Sequence, residues 1–313
     1  MGEHAWIAAL ARRLAGGPAD RRILVGPGDD AAAVRPGRRP LLVTTDALVE
    51  NVHFRAGWAP PAALGRRAWA VNASDLAAMG GVPRFALLAL EAPPTMRAAD
   101  LDALVGGFVA AARRDGARLV GGNLAAARRL AITAAAIGEA PGPLATRAGA
   151  RPGDRLYVTG TLGAAGVAVR RLAAGAAARL PDPPRRVHAG RLLARLASAM
   201  IDVSDGLVQD AEQLCRASRV GAEIDLGRLP IAAACRRALG RRAAAFAARA
   251  GEDYELLVAV PSAREPALHR VAPRLGCRIT PIGRLVAGRP VVRVRHPDGR
   301  VARIARGFDH FRR

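Results

Sequence analysis

Apolar residues at helical spacing alternate along the first half of the chain with short apolar runs that are typical of strands. This pattern predicts helices at 6–14, 62–79 and 101–114, and strands at 41–45, 85–90 and 131–137. A short apolar run at 31–34 follows an acidic loop, and residues 118–120 lead into a predicted turn at Gly121-Gly122-Asn123. Helices and strands that mix in this way indicate an α/β or α+β fold.

A cluster of Gly and Pro at 142–153 predicts a boundary between two domains, 1–147 and 148–313. Beyond it the pattern predicts strands at 156–159, 222–226, 254–260, 278–282 and 291–294, and helices at 164–174, 188–197 and 206–216. A chain of 313 residues with 51% hydrophobic content can form a core in each domain.

The formal charge of +22 would ordinarily suggest a nucleic-acid partner. The chain has no lysine, however, so all 48 basic residues are arginine, and together with the abundant alanine this indicates GC-rich coding. The arginines are scattered, and 4% aromatic content is low for a base-stacking surface. We therefore expect no nucleic-acid partner, while an attraction for anionic substrates stays open. The lack of lysine also excludes a Walker A P-loop.

No apolar run approaches the roughly 20 residues of a membrane span, and the N-terminus lacks the layout of a signal peptide. A cytoplasmic protein without a membrane partner is expected. Its three cysteines, Cys215, Cys235 and Cys277, have no CxxC spacing and are expected to be reduced.

Acidic motifs recur at the predicted ends of strands and on one predicted helix. Each could be an ordinary turn or helix cap, but their recurrence favours a magnesium site built from oxygen ligands. The motifs are Gly28-Asp29-Asp30, Thr44-Thr45-Asp46, Asn72-Ala73-Ser74-Asp75 and Asp202-Val203-Ser204-Asp205.

A further acidic segment, 251–255, is either a plain turn or a recognition site for a cationic or hydroxylated ligand. No Ser-His-Asp or Cys-His arrangement stands out, so acyl transfer has no support. We expect no general base and no nucleophile among the side chains.

In order and spacing, these motifs resemble those of the thiamine-monophosphate kinase family, which is related to aminoimidazole ribonucleotide synthetase and selenophosphate synthetase. The resemblance runs nearly from end to end, through segments at 28–30, 44–54, 70–80, 146–154, 157–161, 201–207, 251–256 and 307–311.

The resemblance implies ATP-dependent phosphorylation of thiamine monophosphate to thiamine diphosphate with several Mg²⁺ ions. It implies two α/β domains: an N-terminal one that binds metal and ATP and forms a homodimer through its mixed sheet, and a C-terminal one that completes the substrate cleft. The implied metal ligands are Asp30, Thr44, Thr45, Asp46, Asp75, Asp202 and Asp205. ATP would contact Gly122, Arg147 and Ser204, and thiamine phosphate would contact His53, Glu252 and Phe308.

One departure concerns Asn123, which follows Gly121-Gly122 where the family often has aspartate. Asparagine keeps an oxygen ligand but loses a charge, so a metal at Asn123 would be held differently. Two alternatives stay open: a related ATP-using enzyme with another acceptor, and a nucleotide-binding protein that no longer turns over.

Overall fold

The computed structural model of the protein describes residues 10, 13, 21–25, 33–296 and 298–302. The predicted helix at 6–14 therefore lies outside the described residues, apart from Leu10 and Arg13. The motif residue Asp29 and two candidate site residues, Asp30 and Phe308, also lie outside them. The chain divides into two compact units, Met1–Leu76 with Val82–Ala140, and Ala77–Gly81 with Pro141–Arg313. The predicted domain boundary at 147–148 lies close to this division.

The first unit contains a four-stranded mixed sheet and two long helices. Its elements are β1 (Ile23–Val25), β2 (Ala33–Val34), β3 (Leu41–Val49), α1 (Pro61–Ala78), β4 (Val82–Ala92), α2 (Ala98–Arg114), β5 (Arg118–Ala126) and β6 (Ala131–Glu139). The strand order is β3-β6-β4-β5, with β1 and β2 paired separately. Strands β4 and β5 are parallel, and α2 supplies the crossover that a parallel pair requires.

Helices α1 and α2 approach closely because each has a glycine against the backbone of the other, Gly65 on α1 and Gly107 on α2. A Cβ atom on Gly65 would overlap the carbonyl oxygen of Leu104. Nearby, the rings of Trp69 and Phe108 meet edge to face at 5.7 Å between centroids, and the indole nitrogen of Trp69 donates to Asp115 at 2.8 Å. An edge-to-face aromatic pair with its polar nitrogen satisfied is a stable core arrangement.

The second unit is built on a seven-stranded sheet in the order β13-β12-β9-β11-β7-β10-β8. Its strands are β7 (Arg155–Thr159), β8 (Ala199–Val203), β9 (Gly221–Asp225), β10 (Glu255–Val260), β11 (Ile279–Val286), β12 (Val292–Arg295) and β13 (Val301–Ala302). Its helices are α3 (Ala164–Ala173), α4 (Val187–Leu193), α5 (Leu207–Ser218), α6 (Ala233–Leu239), α7 (Ala243–Ala247) and α8 (Glu265–Val271). Strand β10 is buried along its whole length.

Most predicted elements are present, but two polar segments were assigned wrongly. The strand predicted at 41–45 continues to Val49, so Asp46 lies inside it, because all nine residues pair with β6. The turn predicted at Gly121-Gly122-Asn123 is part of β5, which pairs with β4 as far as Ala126. No helix in the described part of the chain is long and apolar enough to cross a membrane.

Candidate active site

In the first unit, two of the candidate metal ligands are in direct contact. The hydroxyl of Thr44 on β3 donates a hydrogen bond of 2.6 Å to Oδ2 of Asp75 on α1. Asp46 lies two residues along the same strand, and side chains at that spacing share one face of a sheet. Thr44, Asp46 and Asp75 are therefore on the side of the sheet that the helix covers.

Thr45 and Asn123 lie on the opposite face. The Thr45 hydroxyl donates to the carbonyl of Ala134 in the neighbouring strand at 2.9 Å. Asn123 is aligned with Ala89, which pairs with Thr133 and through it with Ala47. Because β3 and β5 are the two edges of the sheet, they are about 14 Å apart at the usual strand spacing. Within one chain, Asn123 and Asp46 cannot bind the same ion.

Gly122 is aligned with Leu88 on the helix-covered side of the sheet. The prediction of a turn here was wrong, and the close packing of the two strands gives the physical reason for glycine. A Cβ atom on Gly122 would overlap the carbonyl oxygen of Leu88. Glycine at this position is therefore explained by strand packing, independently of any nucleotide.

His53 is anchored to the end of β3. The backbone amide of Val49 donates to Nδ1 of His53 at 2.9 Å, and Asn51 in the same turn has a left-handed φ of 67°. Since Nδ1 accepts a hydrogen bond, the neutral imidazole carries its proton on Nε2.

In the second unit, Asp202 lies near the end of β8, and Ser204 and Asp205 lie in the loop between β8 and α5. Asp202 is buried, with 4% of its surface exposed. The loop is shaped by Asp210, whose Oδ2 accepts from the backbone amides of Asp205 and Gly206, both at 3.1 Å. The side-chain amide of Gln209 also donates to the Asp205 carboxylate, at 3.0 Å.

Gln213 connects Arg147 to this loop. Arg147 Nη1 donates to Gln213 Oε1 at 2.7 Å, and Gln213 Nε2 lies 3.4 Å from Asp210 Oδ1. The sequence prediction named Arg147 and Asp205 but missed both Asp210 and Gln213. For Asp210 the available signal was its position on α5, since an acid one turn inside a helix can bind the amides that precede it.

Asp210 is 1% exposed. This burial raises the pKa of its carboxyl well above the usual range, and the nearby charges of Asp202 and Asp205 raise it further, while the two amide donors oppose the shift. A concentration of carboxylates of this kind favours a bound cation.

Glu252 is fixed beside Ser204. Its backbone amide donates to the carbonyl of Ser204 at 2.7 Å, and the amide of Tyr254 donates to Val203 at 2.8 Å. The second unit thus brings together Arg147, Asp202, Ser204, Asp205 and Glu252 through one set of hydrogen bonds and chain neighbours.

Three candidate residues of the first unit have side-chain atoms that are suitable ligands for magnesium. Thr44, Asp46 and Asp75 offer hydroxyl and carboxylate oxygens, which are the ligands that Mg²⁺ prefers. One turn before Asp75, the buried Oδ1 of Asn72 accepts no hydrogen bond. Across the described ranges, however, no group of three or more His, Cys, Asp or Glu side chains could hold a metal ion. An ion here would therefore need hydroxyl, phosphate or water oxygens as well.

Two family models together match most of the chain. The model for the N-terminal domain of AIR synthase related proteins matches residues 28–140, and the model for their C-terminal domain matches residues 151–295. The fold and the acidic motifs thus define an enzyme class of the AIR synthase type.

Individual relatives within this class assign the chain to a particular family. The thiamine-monophosphate kinase of Escherichia coli K12 is 36% identical over 304 residues, covering 92% of each chain. The crystal structure of the thiamine-monophosphate kinase from Stenotrophomonas maltophilia K279a aligns with a TM-score of 0.85 at 35% identity, covering 97% of this chain and 98% of that one. A third match, "AaThiL complexed with AMPPCP and TMP", has a TM-score of 0.78 at 31% identity, covering 99% and 97%. The chain belongs to the thiamine-monophosphate kinase family.

Proposed function

We propose that the protein transfers the γ-phosphoryl group of ATP to the phosphate of thiamine monophosphate, forming thiamine diphosphate. The observation that carries this proposal is the match over nearly the whole chain to a relative described in complex with AMPPCP and TMP. Two contacts among the proposed site residues support it. Thr44 donates to Asp75, and Arg147 is linked through Gln213 to Asp210, which shapes the Asp205 loop.

The chemistry of the acceptor explains the lack of an evident general base. A phosphate monoester has a second pKa of about 6 and is largely a dianion at neutral pH, so it can attack without losing a proton first. The main obstacle is repulsion between two anions, which positioned cationic groups reduce. Arg147, Ser204 and the strand at Gly122 would contact ATP, with Arg147 binding its phosphates. His53, Glu252 and Phe308 would bind thiamine phosphate.

Bound magnesium would neutralise phosphate charge during the transfer. We propose that several Mg²⁺ ions are bound, with Asn123 and Asp46 on different ions. The residues that would hold these ions are Asp30, Thr44, Thr45, Asp46, Asp75, Asn123, Asp202 and Asp205.

The decisive experiment measures ADP formation by the purified protein with Mg²⁺ and ATP, with and without thiamine monophosphate, and detects thiamine diphosphate by chromatography. We expect both products in equal amounts. ADP without thiamine diphosphate would refute this acceptor and favour a related ATP-using enzyme, whereas nucleotide binding without turnover would favour a non-catalytic protein.

We propose that transfer is direct and in line, because no side-chain nucleophile is evident beside the acids. A chiral γ-phosphoryl group should therefore be transferred with inversion of configuration. Retention would instead require a phosphorylated enzyme intermediate and would refute direct transfer.

Asn123 offers a test between an active enzyme and a non-catalytic one. Because it lies on the face of the sheet away from Thr44 and Asp46, we expect Asn123→Asp to change kcat/KM by less than about tenfold, or 1.4 kcal/mol. Steady-state kinetics of both proteins check this. A large gain from near zero would show that the natural chain is inactive because it lacks this charge.

We propose that the open face of the first unit's sheet forms a homodimer. Leu41, Val43 and Leu87 are exposed on this face, Val43 by 71%, and apolar surface of this kind commonly marks an interface. We expect light scattering to give a dimer for the natural chain and a monomer for Val43→Glu. The control is Leu144→Glu, which alters an exposed leucine of the second unit and should leave the dimer intact.

A further inference from the structure

Asp253 lies between two residues whose backbone is in the left-handed region. Glu252 has a φ of 73° and Tyr254 a φ of 49°. Residues other than glycine rarely adopt this conformation and retain it only when surrounding contacts hold them there. The segment 252–254 therefore needs an anchor, and the described contacts identify one.

The side chain of Asp253 provides this anchor. It is 5% exposed, and its two carboxylate oxygens lie 2.9 and 2.8 Å from the backbone nitrogen of Gly163. Gly163 is the residue directly before α3. Asp253 thus caps the N-terminus of α3 from a distant part of the chain.

The other contacts of the segment fix its two ends. The amides of Glu252 and Tyr254 donate to the carbonyls of Ser204 and Val203, and Glu255 is bound by Thr159 at 2.6 Å and by Arg186. The backbone of Glu252 and Tyr254 is therefore held against the end of β8, and the side chain of Glu255 is held by Thr159 and Arg186. Asp253 is the side chain that secures the middle.

We propose that Asp253 is a positioning residue for Glu252, holding it in the left-handed conformation that presents its carboxylate to thiamine phosphate. This inference rests on the proposed function, which assigns Glu252 to the substrate. Asp253 itself is buried against α3 and acts only through the backbone of its neighbour.

The kinetic test compares Asp253→Asn with Asp154→Asn, which alters another buried acid of the same unit that accepts from the backbone amide of Arg151 at 2.9 Å. We expect Asp253→Asn to raise the KM for thiamine monophosphate about tenfold, the effect of about one lost hydrogen bond. The KM for ATP should change less than about twofold. Asp154→Asn should leave both KM values unchanged. Unchanged KM values in Asp253→Asn, or an equal rise in both, would overturn the inference.

A double variant tests whether Asp253 acts through Glu252. Residues that act through one another are not additive, so the KM of Glu252→Gln/Asp253→Asn should equal that of Glu252→Gln alone. Multiplication of the two effects would mean that Asp253 acts by another route.

Hydrogen exchange tests the anchor without any substrate. The amides of Glu252 and Tyr254 should exchange about tenfold faster in Asp253→Asn than in the natural chain, and at the natural rate in Asp154→Asn. Unchanged exchange in Asp253→Asn would refute the anchor. If the natural chain makes no thiamine diphosphate, the proposed function fails, and this measurement still decides whether Asp253 holds the turn.

Discussion

Replacing Asp75 by asparagine should lower kcat on the order of 10³-fold while leaving the fold intact, an effect comparable with the loss of a main electrostatic contact in other enzymes. Asparagine has almost the same shape and can still accept the hydrogen bond of 2.6 Å from Thr44. It lacks the negative charge that the proposed function requires for metal binding. The measurement is steady-state kinetics at saturating ATP and Mg²⁺, with the melting temperature as a check on folding.

Asp100→Asn is the matched control for this prediction. Asp100 lies in the same unit, in the first turn of α2, and its carboxylate pairs with Arg97 at 2.8 Å on the surface. An exposed pair of this kind contributes little to stability, and no role in the reaction is proposed for it. Asp100→Asn should keep full activity. Equal activities of Asp75→Asn and the natural chain would remove Asp75 from the proposed site.

Long apolar patterns predicted the helices well because such a pattern requires one face to be buried. The helix predicted at 62–79 is Pro61–Ala78. The ends of strands were harder to predict, because pairing with a neighbour can carry a strand through polar residues or glycines. Asp46 and Gly122 are both inside strands for this reason.

The sequence identified the chemistry of the candidate residues better than their arrangement. Thr45, Asp46 and Asn123 were all candidate metal ligands, yet the alternation of side chains along a strand and the order of the strands separate Asp46 from the other two. Gln213 was missed because its value lies in a contact with Arg147, which is distant in sequence. Such contacts depend on how the sheet and helices pack, which local patterns do not encode.

The stability of the natural chain should fall as the pH rises through the neutral range, and Asp253→Asn should remove the part of this dependence that comes from Asp253. Burial is the main cause that raises the pKa of Asp253 from 3.8 to about 8, with the charge of Glu255 adding to it, while the amides of Gly163 and Ala165 oppose it. The folded state therefore keeps a proton that the unfolded state releases.

The sign follows from this difference in bound protons. Below about pH 4 both states are protonated at this carboxyl, and stability from this source is fully present. Between about pH 4 and pH 8 the unfolded chain loses its proton first, so the free energy of unfolding decreases as pH rises. One pKa unit corresponds to about 1.4 kcal/mol, and the total loss by about pH 8 is several kcal/mol.

Melting temperatures of the natural chain and Asp253→Asn, measured from pH 5 to pH 9, test this directly. At 2–4 °C per kcal/mol, the melting temperature of the variant relative to the natural chain should rise by about 10 °C across this range. Asparagine at position 253 does not titrate, and any other effect that it has on stability should be independent of pH. The result is therefore the change with pH in the difference between the two melting temperatures. Parallel curves for the two proteins would mean that Asp253 has the same proton affinity folded and unfolded, and that its burial does not set its charge.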